Sequence, residues 1–300
     1  MKKFLALTLS TLVMTPLVCA EGDKKQTNLQ NDADCKSGIH RFVDRNSELK
    51  SSKISAEGDK YQNFYNNVNL KKGLPDLGDH GFISRVIYIL YAFKGVRLSM
   101  YNEPNVKDNQ IRAVGYLFGI INGINSYNPK NIALAYCTLD PKGNTKKRNK
   151  SDINEAFIKI MIKYLGNIPE VCVNINEGEK FTDLYDYLNQ KKISTPSSDE
   201  FLVSVDRRDV SGKIVPCLSN LEIKNILKFN DKSTGREYNL SYVSSWERKQ
   251  PDDENVLVSY VRNENGEWCV CRGENIKKVS EDEVARIASI SGWNLVYSRV

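Results

Sequence analysis

The sequence predicts an α+β fold in which a helical half precedes an antiparallel β half. Two observations carry this. Before residue 200 the apolar residues recur every three or four positions, as on helices. From Phe201 onward they fall in short β-rich runs broken by turn signals. No internal repeat relates the halves, so neither a solenoid nor a propeller is indicated.

The helical half holds four periodic segments. Phe82 to Phe93 places Val86, Ile87, Ile89 and Leu90 on a broad apolar face. Asp108 to Ile124 places Ile111, Val114, Leu117, Phe118 and Ile121 at three-to-four spacing. Ser151 to Leu165 opens with Ser151 as N-cap and has Asp152 and Glu155 in its first turn, where acids favour the positive helix end. Phe181 to Leu188 is shorter. The β half reads FLVSVDRR, KIVPCL, YNLSYVSSW, VLVSYVRN, GEWCVCRG and WNLVYSRV. Turns are expected at Asp231-Lys232-Ser233, at NENG (Asn263 to Gly266) and at Arg272-Gly273. Ser280 to Ile290 is a helix with Ser280 as N-cap and three acids in its first turn. Cys269 and Cys271, two apart on a strand, share one face.

The start of the chain, MKKFLALTLSTLVMTPLVCA, has the charged, apolar and small-residue regions of a secretory signal peptide cut after Ala20. Its apolar run is too short and too broken by Thr15-Pro16 for a membrane span. Pro16-Leu17-Val18 ahead of Cys19 lacks the small residue that a lipid-attachment site needs. The expectation is an exported protein, secreted or periplasmic, with no membrane association after cleavage. Residues 21–60 read as a flexible polar lead-in and 61–300 as one domain. The net charge is +6, and loss of Lys2 and Lys3 with the leader lowers it to +4. The densest basic run, KGNTKKRNK from Lys142 to Lys150, has no interleaved aromatics and reads as a solvated loop, not a nucleic-acid site. Of seven cysteines, Cys35, Cys137, Cys172, Cys217, Cys269 and Cys271 follow the leader, an even number that permits disulfides. With no CxxC pair and only His40 and His80 as histidines, a structural zinc site of the usual spacing is excluded, and no cofactor is implied.

Four separated blocks, taken in order, resemble the catalytic domain of ubiquitin-specific proteases. The C-terminal block is the most specific. The family pattern there is YxLxAVV, GHYVAYV, a hairpin, WYxFDD, an acidic helix and a last strand ending in LFY. Here Tyr238 to Val243, Asn255 to Val261, Trp268 to Gly273, Val279, Glu283-Val284 and Leu295-Val296-Tyr297 follow it. Gly73 to Leu90, GLPDLGDHGFISRVIYIL, resembles the nucleophile box GLxNLGNTCYMNSVLQxL through Gly73, Leu74, Leu77, Gly78, Phe82, Val86 and Leu90. Ser151 to Phe157 resembles QxDAxEFL, and Phe201 to Ile214 resembles the strand LVIHLKRF with its hairpin. The resemblance implies a papain-like fold. The family's zinc-bearing fingers are reduced, because Cys172 to Phe201 is short and has no cysteine pairs.

The same resemblance implies where chemistry would sit, and the residues do not supply it. A cysteine peptidase needs a thiolate, an imidazole, a group that orients the imidazole, and donors for the oxyanion. The nucleophile position is Gly81, which has no side chain. The histidine position is Val256. The orienting acid is replaced by Arg272, of the wrong charge to hold an imidazolium. The oxyanion-stabilising Asn position is Asp76, a carboxylate that repels developing negative charge. A shift of one residue recovers neither a thiol beside Gly81 nor a histidine beside Val256. His80 is the weak alternative for a displaced constellation. The expectation is therefore a catalytically inactive, exported pseudo-deubiquitinase that binds ubiquitin or a ubiquitin-like protein. The alternatives are an active cysteine-type hydrolase built around His80, and an exported structural protein unrelated to ubiquitin.

Overall fold

The computed structural model describes residues 68–75, 77, 81–102, 109–139, 169–176, 183–208, 223–247 and 256–300. The predicted Ser151 helix, the KIVPCL strand, the leader and the polar lead-in lie outside these residues.

The helical half is α1 (Gly81–Ala92), α2 (Lys94–Asn102), α3 (Asn109–Ile121) and α4 (Pro129–Leu139). α1 is buried nearly all round, with Ser84, Tyr88 and Tyr91 as deeply enclosed as Ile83 and Leu90. Such a helix belongs inside a domain. α2 begins where the Glu200 carboxylate accepts hydrogen bonds from the Lys94 and Gly95 amides at 2.9 and 3.1 Å, an anion at the positive helix end. α3 stops at Gly123, whose φ of 71° needs a residue without Cβ. Its amide bonds to the Ile120 carbonyl while that of Ile124 bonds to Gly119, the paired bonds of a Schellman motif. α4 starts with Asn128, whose side-chain oxygen accepts from the Lys130 amide, ahead of Pro129 at the first helical position.

The β half comprises β1 (Glu170–Asn176), β2 (Glu200–Arg208), β3 (Lys228–Asp231), β4 (Arg236–Glu247), β5 (Val256–Arg262), β6 (Trp268–Arg272), β7 (Asn275–Val279) and β8 (Gly292–Arg299). α5 (Leu184–Gln190) lies between β1 and β2, and α6 (Glu281–Ser291) between β7 and β8. The strands form one sheet in the order β1-β2-β8-β4-β5-β6-β7, with β3 paired to β4. The sheet is mixed, which corrects the antiparallel expectation. β1 pairs parallel with β2, Glu170 opposite Leu202, while the other pairings are antiparallel. Parallel neighbours need a crossover, and the segment carrying α5 supplies it. The stretch that the resemblance assigns to a shortened finger region contains that crossover. The short helix begins at Leu184, not Phe181, because Asp183 caps it by accepting from the Asp186 amide at 2.8 Å.

The sheet separates two cores. One face meets α1 to α4 through Leu202, Tyr242, Val261, Cys271 and Val296. The other meets α5 and α6 through Phe201, Val203, Phe229, Tyr260, Leu295 and Tyr297. A register shift between Leu240 and Tyr242 marks a bulge, so Leu240 and Val243 share the second face while Tyr242 turns to the first. Cys269 lies opposite Val261 and Cys271 opposite Ser259, on the first face as the alternation predicts. Arg207 is buried and donates to the Gly292, Ser289 and Ala288 carbonyls, so a cation closes the C-terminal end of α6. The NENG hairpin forms as expected, with Gly266 at φ 77°.

Candidate functional site

The described part of the loop leading toward α1 is held by backbone and hydroxyl contacts. Gly73 approaches the β6–β7 turn so closely that a Cβ there would lie 2.3 Å from the Gly273 carbonyl oxygen. Its amide donates to the Glu274 carbonyl at 3.3 Å. Only glycine permits this approach, which accounts for the first glycine of the GLPDLG stretch. Lys72 reaches Glu274 at 3.2 Å and lies 4.7 Å from the Tyr127 ring centre. The Leu74 amide donates to the Tyr88 hydroxyl at 2.9 Å, and the Tyr136 hydroxyl donates to the Pro75 carbonyl at 3.1 Å. Residues 73–75 are thus fixed between α1, α4 and the β6–β7 turn, and Leu74 is fully buried.

Gly81 is the first residue of α1, Val256 the first of β5 and Arg272 the last of β6. β5 and β6 are adjacent and antiparallel, with Ser259 opposite Cys271, so the start of β5 and the end of β6 share one end of the sheet. Arg272 is exposed there, beside the turn that holds Gly73. Asp76 and His80 lie outside the described residues. At the helix start and the strand start, where the resemblance would put the nucleophile and the base, stand a residue without a side chain and an aliphatic one. Neither can form a covalent intermediate or carry a proton.

Three thiols of the sheet are shifted away from reactivity. Burial pushes the Cys271 thiol up to about 12, eased by a hydrogen bond with Tyr88 and raised again by Cys269. Burial also raises Cys269. Cys172, exposed on β1, is raised by partial burial and by the charges of Glu170 and Asp206. A nucleophilic cysteine needs the reverse shift. Cys172, Cys269 and Cys271 are not in disulfides. Among the described residues no group of three or more His, Cys, Asp or Glu side chains could hold a metal ion, and no helix is long and apolar enough to cross a membrane. Two features escaped sequence reasoning. One is the Gly73 contact with the Gly273–Glu274 turn, which no local pattern encodes. The other is the Tyr88–Cys271 pair, visible only once α1 lies on β6.

These elements define an α+β domain whose mixed sheet carries the buried helix α1 on one face. No family model matches the chain and no curated protein is similar to it. Solved structures are similar. One chain of the SAGA Ubp8/Sgf11/Sus1/Sgf73 DUB module has a TM-score of 0.56 at 12% identity, covering 78% of this chain and 69% of that one. The same module bound to ubiquitin aldehyde gives 0.51 at 13%, covering 92% and 76%. An essential yeast splicing factor gives 0.55 at 12%, covering 76% and 69%. The chain therefore has a ubiquitin-specific-protease-like fold. At these identities the likeness speaks for the fold alone.

Proposed function

We propose that this chain is an exported pseudo-deubiquitinase: a papain-like, ubiquitin-specific-protease-like scaffold that binds a protein partner and does no hydrolysis. The observation that carries the proposal is Gly81 at the first residue of α1, with Val256 and Arg272 at the matching strand ends. The loop framework is held in place by Gly73, Tyr88 and Tyr136, while the groups that would do chemistry are replaced. The raised Cys269 and Cys271 thiols add no substitute nucleophile. A similar structure is described as an essential yeast splicing factor, so the fold alone does not require hydrolysis. Ubiquitin, or a protein shaped like it, is the partner class proposed, because a similar solved structure is described as bound to monoubiquitin. Export rests on the leader and would appear as a mature chain beginning at Glu21.

The test pairs a ubiquitin C-terminal fluorogenic reporter with calorimetric titration of ubiquitin and ubiquitin-like proteins. The expected result is no hydrolysis above background together with saturable binding of at least one of them. Hydrolysis abolished by His80→Ala or by any single cysteine substitution would establish a displaced active site instead. No binding at all would favour an exported structural protein unrelated to ubiquitin.

A further inference from the structure

On the face of the sheet opposite α1, α5, β3 and α6 enclose a groove of about 820 Å³. Its apolar lining includes Tyr185, Leu227 and Ala285, each half-buried against the second core. Around it stand Lys224, Lys228, Lys232 and Arg286, all exposed. Lys228 faces outward because β3 alternates, with Phe229 and Asp231 turned in. Among the described residues none of these four cations has a carboxylate within ion-pair distance, and Lys232 lies 5.4 Å from the Tyr185 ring centre. Two acids also line the groove, and both are engaged elsewhere. Asp183 caps α5, and Glu281 lies 3.8 Å from Arg262. A smaller cavity of about 250 Å³ shares Leu227, Lys228 and Glu281 with the groove and adds Arg262 and Trp268. The Trp268 indole N–H is buried with no acceptor.

We infer that this groove is a docking site for an acidic peptide segment carrying apolar side chains, supplied by a protein partner. Apolar residues of the segment lie against Tyr185, Leu227 and Ala285, and its carboxylates meet the lysines and Arg286. Like charges left facing one another around an apolar floor favour a ligand of the opposite sign, which steers encounter and fixes orientation. The cations stand around the rim and not on the floor, the usual arrangement of a protein-binding patch. The inference is independent of the proposed function, because none of Gly81, Val256 and Arg272 lines the groove.

The test uses the full chain and fluorescence anisotropy of a short fluorescein-labelled peptide alternating Glu and Leu. Saturable binding is expected, weakening as salt rises. Lys228→Glu combined with Arg286→Glu should weaken it at least about tenfold, and a Lys-Leu peptide should then bind the variant better than the native chain. Lys130→Glu, on α4 across the sheet, should change nothing. Should the double variant unfold by circular dichroism, Lys224→Gln and Lys228→Gln singly should each give a smaller loss. Three results would overturn the inference. One is absence of saturable binding. Another is binding indifferent to these substitutions, or matched by polyglutamate without Leu, which would mark a non-specific polyanion surface. The last is a dimer in sedimentation that Lys228→Glu with Arg286→Glu dissociates, which would assign the groove to a second copy of the chain.

Discussion

The two faces of the sheet are held by different physics. The α5–α6 face is an aromatic core: Phe201 stacks on Tyr297 at 5.3 Å and meets Phe229 and Tyr238 edge-on at 5.3 and 5.0 Å. The α1–α4 face uses buried polar contacts as well as apolar ones. Tyr91 bonds Asn122 and Asn69, Arg97 donates to the Tyr91 and Ala92 carbonyls, and Tyr88 and Tyr136 hold residues 74 and 75. Buried polar contacts add little net stability and fix geometry well. The α5–α6 face is built for stability, and the α1–α4 face holds a loop in one place. The tethers on the loop-holding face, with Gly81 and Val256 where the resemblance would place reacting groups, are the main physical argument for the proposed binding role.

The largest expected effect tests the aromatic face. Phe229→Ala removes a side chain 1% exposed at the centre of that cluster. It should cost about 3–5 kcal/mol in chemical denaturation, since the surrounding rings cannot close the cavity. A loss under about 1 kcal/mol would mean that this face is loosely packed and that the contrast between faces fails.

Alkaline pH should find the α1–α4 face next. The Cys271 thiol is raised from its ordinary 9.0 to about 12, chiefly by burial. The unfolded chain releases this proton from about pH 9 while the folded chain keeps it. Stability from this group is therefore complete below pH 9 and falls as pH rises toward 12. Near pH ~11 the loss should be about 2–3 kcal/mol. Tyr88 and Tyr242, also raised by burial, act in the same direction. Denaturation midpoints across this range should fall less steeply for Cys271→Ala.

Gly73→Ala comes third. A Cβ 2.3 Å from the Gly273 carbonyl oxygen forces backbone to move, at about 1–3 kcal/mol. Hydrogen exchange should rise at Leu74 and in the β6–β7 turn, while the aromatic face stays protected. Exchange rising equally on both faces would show that the tether is not local.

Much of this was legible locally. Ser280 caps α6 by accepting from the Glu283 amide at 3.2 Å, and the β-rich runs that fall on described residues became strands. The sequence reading contains no α4, although Asn128-Pro129 is a helix-start signal. The sequence reading contains no β1, although Val171, Val173 and Ile175 alternate as a strand should, because the resemblance assigns the stretch to a reduced insertion. Parallel pairing of β1 with β2 and the contact of Gly73 with Glu274 join residues far apart in sequence. Hydrophobic period and turn chemistry are local signals and cannot encode either.

The smallest expected effect is the most informative about the site. Gly81→Cys places a thiol at the first residue of α1, where the helix dipole favours a thiolate. It should react faster with iodoacetamide than Cys172, whose thiol is raised by partial burial and by Glu170 and Asp206. It should still leave hydrolysis of the ubiquitin reporter at background. Val256 cannot return a proton to the leaving group and Arg272 cannot orient an imidazole, so a thiolate alone completes no turnover. Turnover by Gly81→Cys alone would mean that a base already faces the helix start, and His80 would be the first residue to replace. Turnover only after Val256→His and Arg272→Asp are added would mean that the scaffold still presents its substrate channel and lacks the reacting groups alone.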